Sequence, residues 1–130
     1  MKKILILGEE RDSPYLRYIE DSLKREISAV GFSEITQQLG KKPDDNEVLI
    51  VDPFPFSGDS TSQEYLQNYL KRIRSEYHLP VIVFTSHLEN SVMEQFGLKP
   101  KVHYDAYVGK LDERPFNGLL REALERLVHS

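Results

Sequence analysis

Four short apolar runs in this chain each lead into a different reactive group. KILIL runs into Gly8, Glu9 and Glu10, VLIV into Asp52, VIVF into Thr85 and Ser86, and AYV, one residue further on, into Lys110. If those runs are parallel strands of one sheet, carboxylates, hydroxyls and an ammonium collect at its carboxyl edge, where doubly wound folds bind ligands. Such a set suits a cation and a phosphoryl group. Mg²⁺ takes one or two carboxylates, a backbone carbonyl and several waters, and the cation, hydroxyl and ammonium together stabilise phosphoryl charge. The specificity lies in the ordered set. Taken singly, Glu9 and Glu10 read as solvated loop acids, Thr85 or Ser86 as the N-cap of a following helix, and Lys110 as a surface lysine. Asp52 is different: after four apolar residues it should be little exposed, and a buried carboxylate holds its charge only beside a cation.

The elements that must position these groups alternate between short β-branched runs and longer stretches of helical period, which is the pattern of an α/β sheet protein. The strands are expected at Lys3–Leu7, Ile27–Val30, Val48–Val51, Pro80–Phe84 and Ala106–Val108. Ser13 and Pro14 read as the N-cap and first residue of a helix carrying Leu16, Ile19, Leu23 and Ile27. A short second helix is expected over Phe32–Leu39, ended by Gly40. DPFPFSGD should be irregular, because its prolines lack donors. Thr61 and Glu64 have capping-box spacing, ahead of a third helix whose packed face is Leu66, Tyr69, Leu70, Ile73 and Tyr77. A fourth helix spans about Leu88–Phe96, closed by Gly97. Pro115 opens a fifth with Phe116, Leu119, Leu120, Ala123 and Leu127 inward. The expected layout is five strands and five helices in strict alternation, one domain over residues 1–130 without an output domain.

Bulk composition narrows the classes. The chain has 130 residues, long enough to bury roughly two-thirds of its unfolded surface. Its net charge of −4 argues against direct nucleic-acid binding, which wants a basic face. With no cysteine there is neither a disulfide framework nor a thiolate metal site. No apolar run approaches a bilayer span, and MKK leads straight into a strand without a signal-peptide core, so the expected location is the cytoplasm, away from membranes. Nucleotide-binding glycine motifs and the nucleophile elbow are missing. His78, His87, His103 and His129 lack ligand spacing and read as surface residues, while Tyr65, Tyr69 and Tyr77 read as a helix face packing on the sheet.

Over essentially its whole length the chain resembles a response-regulator receiver domain. KKILILGEE resembles that family's opening strand and acidic pair, EVLIVD the strand carrying the phosphoacceptor, PVIVFTS the strand ending in the switch hydroxyl, and YDAYVGK the fifth strand with its switch aromatic and lysine. The resemblance implies a flavodoxin-like sheet of order 2-1-3-4-5. It implies that Asp52 accepts a phosphoryl group from a histidine kinase, a phosphotransfer protein or a small acyl phosphate. Mg²⁺ would be held by Asp52, Glu9 and the carbonyl of Phe54, with Glu10 a further candidate. Thr85 would move to the phosphoryl oxygen, Lys110 would pair with it, and Tyr107 would report the change by its rotamer. An effector would dock on the fourth helix, fifth strand and fifth helix, and a homodimer stays open. Beyond self-phosphorylation and its reversal no enzymatic activity is implied. Three positions depart from the pattern: Gly8 replaces the first acid, which weakens Mg²⁺ binding, PFPFSGD replaces the usual loop after Asp52, and Leu111 replaces a proline. A pseudo-receiver that binds partners without phosphorylation is the alternative.

Overall fold

A computed structural model of the chain describes residues 3–7, 17, 27–30, 46–56, 58, 60–110 and 118–128. Apart from Arg17 and Ile27, the first two predicted helices lie outside the described residues, as do Gly8, Glu9 and Glu10 and the segment with Leu111, Pro115 and Phe116. Five parallel strands, β1 (Lys3–Leu7), β2 (Ile27–Val30), β3 (Asn46–Val51), β4 (Val81–Thr85) and β5 (Ala106–Gly109), form one sheet in the order β2-β1-β3-β4-β5. This is the α/β architecture and strand order expected. β1 and β3 are adjacent, with Leu7 level with Val51. Val51 in turn pairs with Val83, and Thr85 with Gly109.

Alternation along the strands divides the core in two. Leu5, Leu7, Leu49, Val51, Val81 and Val83 face one way, Ile4, Ile6, Val48, Ile50, Ile82 and Phe84 the other. Both sets are buried, as strands covered on two faces require. The first face is covered by α1 (Ser60–Ser75) and α2 (Glu89–Phe96), through Leu66, Tyr69, Leu70, Ile73, Val92 and Phe96. The second is covered by α3 (Leu119–Val128), through Leu120, Ala123 and Leu124 with Leu127 half-buried. Each fully buried side chain of this size contributes about 1.5–3 kcal/mol. The sheet therefore holds its strand ends in place through packing on both sides.

Several local expectations fail. DPFPFSGD is not wholly irregular: Phe54–Phe56 forms a 3-10 turn closed by Phe56 N–H donating to Pro53 O at 2.9 Å. Pro55 needs no donor in so short a turn, and burial of Phe56 in the core ties it down. Thr61 does not cap the third helix, since α1 already includes Ser60. Tyr65 is 63% exposed rather than packed, and Tyr77 lies beyond the helix end, half-buried against the core. Leu119 is exposed instead of inward, because α3 begins there and its buried face starts one residue later. Neither Thr85 nor Ser86 caps α2: the capping position is Leu88, which has no side-chain oxygen to offer.

His103 departs furthest from its expectation. It is 4% exposed, inside the loop between α2 and β5. Its Nδ1 accepts from Lys99 N–H at 2.9 Å, and its own N–H donates to Lys99 O at 2.9 Å. Nε2 is buried with no hydrogen-bond partner among the described residues. The same loop is held from outside by Arg74, whose guanidinium makes a two-point contact with Asp105 (3.1 and 2.7 Å) and donates to Lys101 O. Asp105 also accepts from Val81 N–H at 2.9 Å, so one carboxylate joins the start of β4 to the residue before β5. Burial pushes the Asp105 carboxyl up, but the hydrogen bonds from Arg74 and Val81 outweigh it and leave the group below its ordinary range.

Two outcomes follow from this packing. Gly97 closes α2 in the left-handed region, φ 65°, and a Cβ there would stand 2.5 Å from Gln67 Nε2, which donates to Phe96 O. Gly97→Ala should lower the unfolding free energy by about 1–3 kcal/mol, measured by urea titration. For His103, burial first, then the charges of Lys71, Lys99 and Arg74, hold the imidazole below its usual value. Its folded form therefore binds protons less readily than the unfolded chain, and stability is lost as pH falls through about 6.5. His103→Phe should flatten the fall in the urea midpoint between about pH 7.5 and about pH 5.5, although removing the acceptor for Lys99 N–H lowers the midpoint overall.

Candidate functional site

Asp52 is the first residue after β3, and its N–H donates to Leu7 O at 2.9 Å, which extends the β1–β3 ladder by one step. Lys110 is the first residue after β5, and its N–H donates to Thr85 O at 2.8 Å, which does the same for β4 and β5. Both are therefore fixed by backbone pairing rather than left on loops. Strand alternation places Asp52, Phe84 and Lys110 on the α3 side of the sheet. There Lys110 Nζ donates to Asp52 Oδ2 at 2.8 Å, and lies 5.5 Å from the centre of the Phe84 ring. Asp52 is 7% exposed and Lys110 9%. The second carboxylate oxygen, Oδ1, accepts from Phe54 N–H at 3.0 Å, a short-range bond that orients the carboxylate at the base of the 3-10 turn.

Thr85 ends β4, buried, and its Oγ1 accepts from His87 N–H at 3.3 Å. By alternation it belongs to the opposite side of the sheet from Asp52 and Lys110. The structure thus brings Asp52 and Lys110 into direct contact, with Thr85 on the neighbouring strand end, its hydroxyl turned to the following loop. Tyr107, half-buried on β5, donates its hydroxyl to His87 O. Both groups read from the sequence as switch elements are therefore tied to one residue, His87. That residue was expected on the surface. Instead its ring is half-buried, stacked on Phe54 with centroids 5.9 Å apart and edge-on to Phe96 at 5.5 Å. Nothing in the local sequence marks His87, because its contacts come from residues 20 and 33 positions away through the Tyr107 and Phe54 side chains.

The donor set suits a hard cation in its chemistry. Asp52 offers carboxylate oxygens, each with two lone pairs, so one bond apiece to Lys110 and Phe54 leaves acceptor capacity. Glu9 and Glu10 lie outside the described residues, but Leu7, two positions before Glu9, is bonded to Asp52. Among the described residues no group of three or more His, Asp or Glu side chains is arranged to hold a metal. No helix among them is long and apolar enough to cross a membrane.

No family model matches the sequence, and neither does any curated protein. Solved structures do match. A putative pilus assembly protein from Burkholderia thailandensis superposes with a TM-score of 0.68 at 15% identity, covering 100% of both chains. The receiver domain of a sensor histidine kinase from Pseudomonas aeruginosa, with a magnesium ion coordinated in its active-site cleft, gives 0.67 at 14% identity, covering 99% of this chain and 98% of that one. A response regulator receiver protein from Pseudoalteromonas atlantica gives 0.65 at 16% identity, covering 98% and 97%. The chain has the receiver-domain fold. In receiver terms the carboxyl edge of its sheet carries Asp52, Thr85 and Lys110 in the order the resemblance implied, at identities that speak for the fold alone.

A buried ion pair tests itself by subtraction. Lys110→Met should leave the Asp52 carboxylate desolvated and without its cation, lowering the unfolding free energy by about 3 kcal/mol, whereas adding Asp52→Asn should restore most of that loss. Urea unfolding of the single and double variants measures it, and equal losses in both would show that the two side chains do not depend on each other.

Proposed function

We propose that this chain is a two-component receiver that takes a phosphoryl group on Asp52 and passes the change on through protein–protein contacts. The observation that carries this reading is the buried Asp52–Lys110 pair at the carboxyl edge of the sheet, 2.8 Å apart, with a hydroxyl at the end of the intervening strand. An Asp52 carboxylate oxygen would attack the phosphorus of a phosphohistidine or acyl phosphate. The bond from phosphorus to the donor breaks, the donor leaves with the electron pair, and an acyl phosphate remains on Asp52. Lys110 is held where charge on the phosphoryl oxygens would develop, and fixed charges placed in that way usually lower a barrier more than any other single effect. Mg²⁺ would be held by Asp52, Glu9 and the Phe54 carbonyl, with Glu10 in reserve, and would neutralise phosphoryl charge when bound.

Propagation would run through His87. Thr85 reaching a phosphoryl oxygen draws on the hydroxyl that now accepts from His87 N–H, while Tyr107 donates to His87 O. A shift of Thr85 would therefore reach Tyr107 through His87. Phosphodonors would be a histidine kinase or a phosphotransfer protein. The effector would meet the face made by α2, β5 and α3, and a second copy of the chain is a further candidate partner. The alternative, a pseudo-receiver with the same surface and no phosphorylation, is favoured by Gly8, which removes one carboxylate from the Mg²⁺ site.

Acetyl phosphate with millimolar Mg²⁺ separates the two. The protein should gain the mass of one phosphoryl group, Asp52→Asn should gain none, and Lys110→Ala should react about 10²-fold more slowly. A protein that stays unmodified under those conditions, while a known receiver in the same tube is labelled, is a pseudo-receiver.

A further inference from the structure

At the opposite edge of the sheet from Asp52, two segments carry a charge balance that reverses that of the chain. Over the whole sequence 17 basic residues stand against 21 acidic ones. Residues 71–76, closing α1, and residues 97–105, between α2 and β5, hold Lys71, Arg72, Arg74, Lys99 and Lys101 against only Glu76 and Asp105. Both acids are engaged: Arg72 lies 3.7 Å from Glu76, and Arg74 meets Asp105 at 2.7 Å. Lys71, Lys99 and Lys101 are exposed and form no ion pair among the described residues. The two segments come together, since Arg74 donates to Lys101 O and the charges of Lys71, Lys99 and Arg74 all reach the buried His103 imidazole. The loop between α2 and β5 is also closed on itself. Lys99 N–H donates to His103 Nδ1, Lys99 O accepts from Val102 and His103 N–H, and Lys101 N–H donates to Tyr104 O at 2.8 Å. Lys101 sits at φ 70°, in the left-handed region that favours glycine. Next to these lysines Pro100 is exposed and Val102 is 42% exposed.

We propose that Lys71, Lys99 and Lys101, with the exposed tip Pro100–Val102, form a docking surface for an acidic segment of another protein, one that sets an apolar side chain among its carboxylates. Carboxylates of that segment would meet the three lysines, and its apolar side chain would meet Val102. A loop already closed by its own hydrogen bonds presents these groups without further ordering, which lowers the cost of binding. Exposed ion pairs are weak singly and screened by salt, so the contact is modest and salt-dependent. Nucleic acid fits less well, because neutralising about 6–10 phosphates takes a longer basic stripe. The net charge of −4 around so small a patch opposes an extended polyanion or an anionic bilayer. Arg74, whose planar fork would suit a phosphate, already holds Asp105. The surface needs no phosphoryl group on Asp52.

The probe is a short fluorescein-labelled peptide of repeated Asp-Glu-Leu units, titrated with the unmodified chain at low ionic strength and read by anisotropy. Lys71→Gln, Lys99→Gln and Lys101→Gln together should weaken binding about tenfold, and Val102→Ser about threefold. Arg17→Gln, Arg121→Gln and Arg126→Gln together remove as many exposed cations from elsewhere and should leave binding within about twofold of the parent. Every substituted side chain is exposed, and urea midpoints close to the parent's show that folding is intact. Equal losses in the two triple variants overturn the surface, as does an acidic peptide that fails to bind or binds no better than one of Asn-Gln-Leu units. Tighter binding to phosphatidylserine vesicles or to a DNA duplex than to the peptide overturns an acidic protein as the occupant. A dimer in sedimentation that the lysine substitutions abolish overturns it in favour of a second copy of this chain. Unphosphorylated protein is used throughout, so failure here leaves the Asp52 reading standing, and failure of acetyl phosphate labelling leaves this surface standing.

Discussion

The contact between Lys110 and Asp52 governs how this molecule is put together at its carboxyl edge. The two residues are 58 positions apart in sequence and meet at 2.8 Å, almost wholly out of water. Removing either charge from solvent costs several kcal/mol, and only a close partner with good geometry offsets it. The pair therefore needs β3 and β5 to end level with the two sides of β4, which the pairing of Val51 with Val83 and the backbone bond from Lys110 to Thr85 secure. It also needs one oxygen of the carboxylate to be oriented, which Phe54 N–H does. A sheet out of register by one residue would turn one partner to the other face and leave two buried charges alone.

The opposite edge of the sheet is held by a second ion pair of different character. Arg74 and Asp105 meet at 2.7 Å with both side chains partly in solvent, and Asp105 also takes the first amide of β4. This pair ties the end of α1 to the start of β4 and to the loop before β5. Tyr104 adds a tie to the other helix by donating to Glu89 at the start of α2, 2.8 Å away, and burial first, then that bond, pushes its hydroxyl well above the ordinary tyrosine range. Where β5 begins is fixed at one edge, so where it ends, and hence where Lys110 stands, is fixed at the other.

How much of this was legible follows from the range of each interaction. The strands were legible because a buried parallel strand is a near-continuous apolar run rich in Val, Ile and Leu, and Ile4–Leu7, Val48–Val51 and Val81–Phe84 are such runs. Their order came from the family resemblance, not from the runs. Asp52, Thr85 and Lys110 were visible because each terminates a run. His103 was not: GLKPKVHYD has no period, and its burial depends on Lys99 N–H four residues back and on the clamp from Arg74. Tyr65 and Leu119 were misassigned for a simpler reason. Periodicity gives the width of a helical face only to about one residue at each end. Arg74 carries no local signal either, since nothing near it in sequence distinguishes an arginine that reaches a carboxylate 31 positions away.

The energetics of the edge also bear on why these residues are there. A buried ion pair is weak evidence for stability, since apolar residues of similar volume often do as well or better. The faces around Asp52 and Lys110 are rich in such residues: Ile50, Phe84 and Val108 pack on the same side of the sheet. A chain under selection for folding alone had an apolar solution at hand on both strands. Keeping an acid and a base together at a sheet edge, beside a strand that ends in a hydroxyl, fits the proposed role, in which the carboxylate would react and the ammonium would meet new negative charge. The fold holds the two in contact before any ligand arrives, so under the proposed phosphoacceptor role little reorganisation would be left for the moment of reaction.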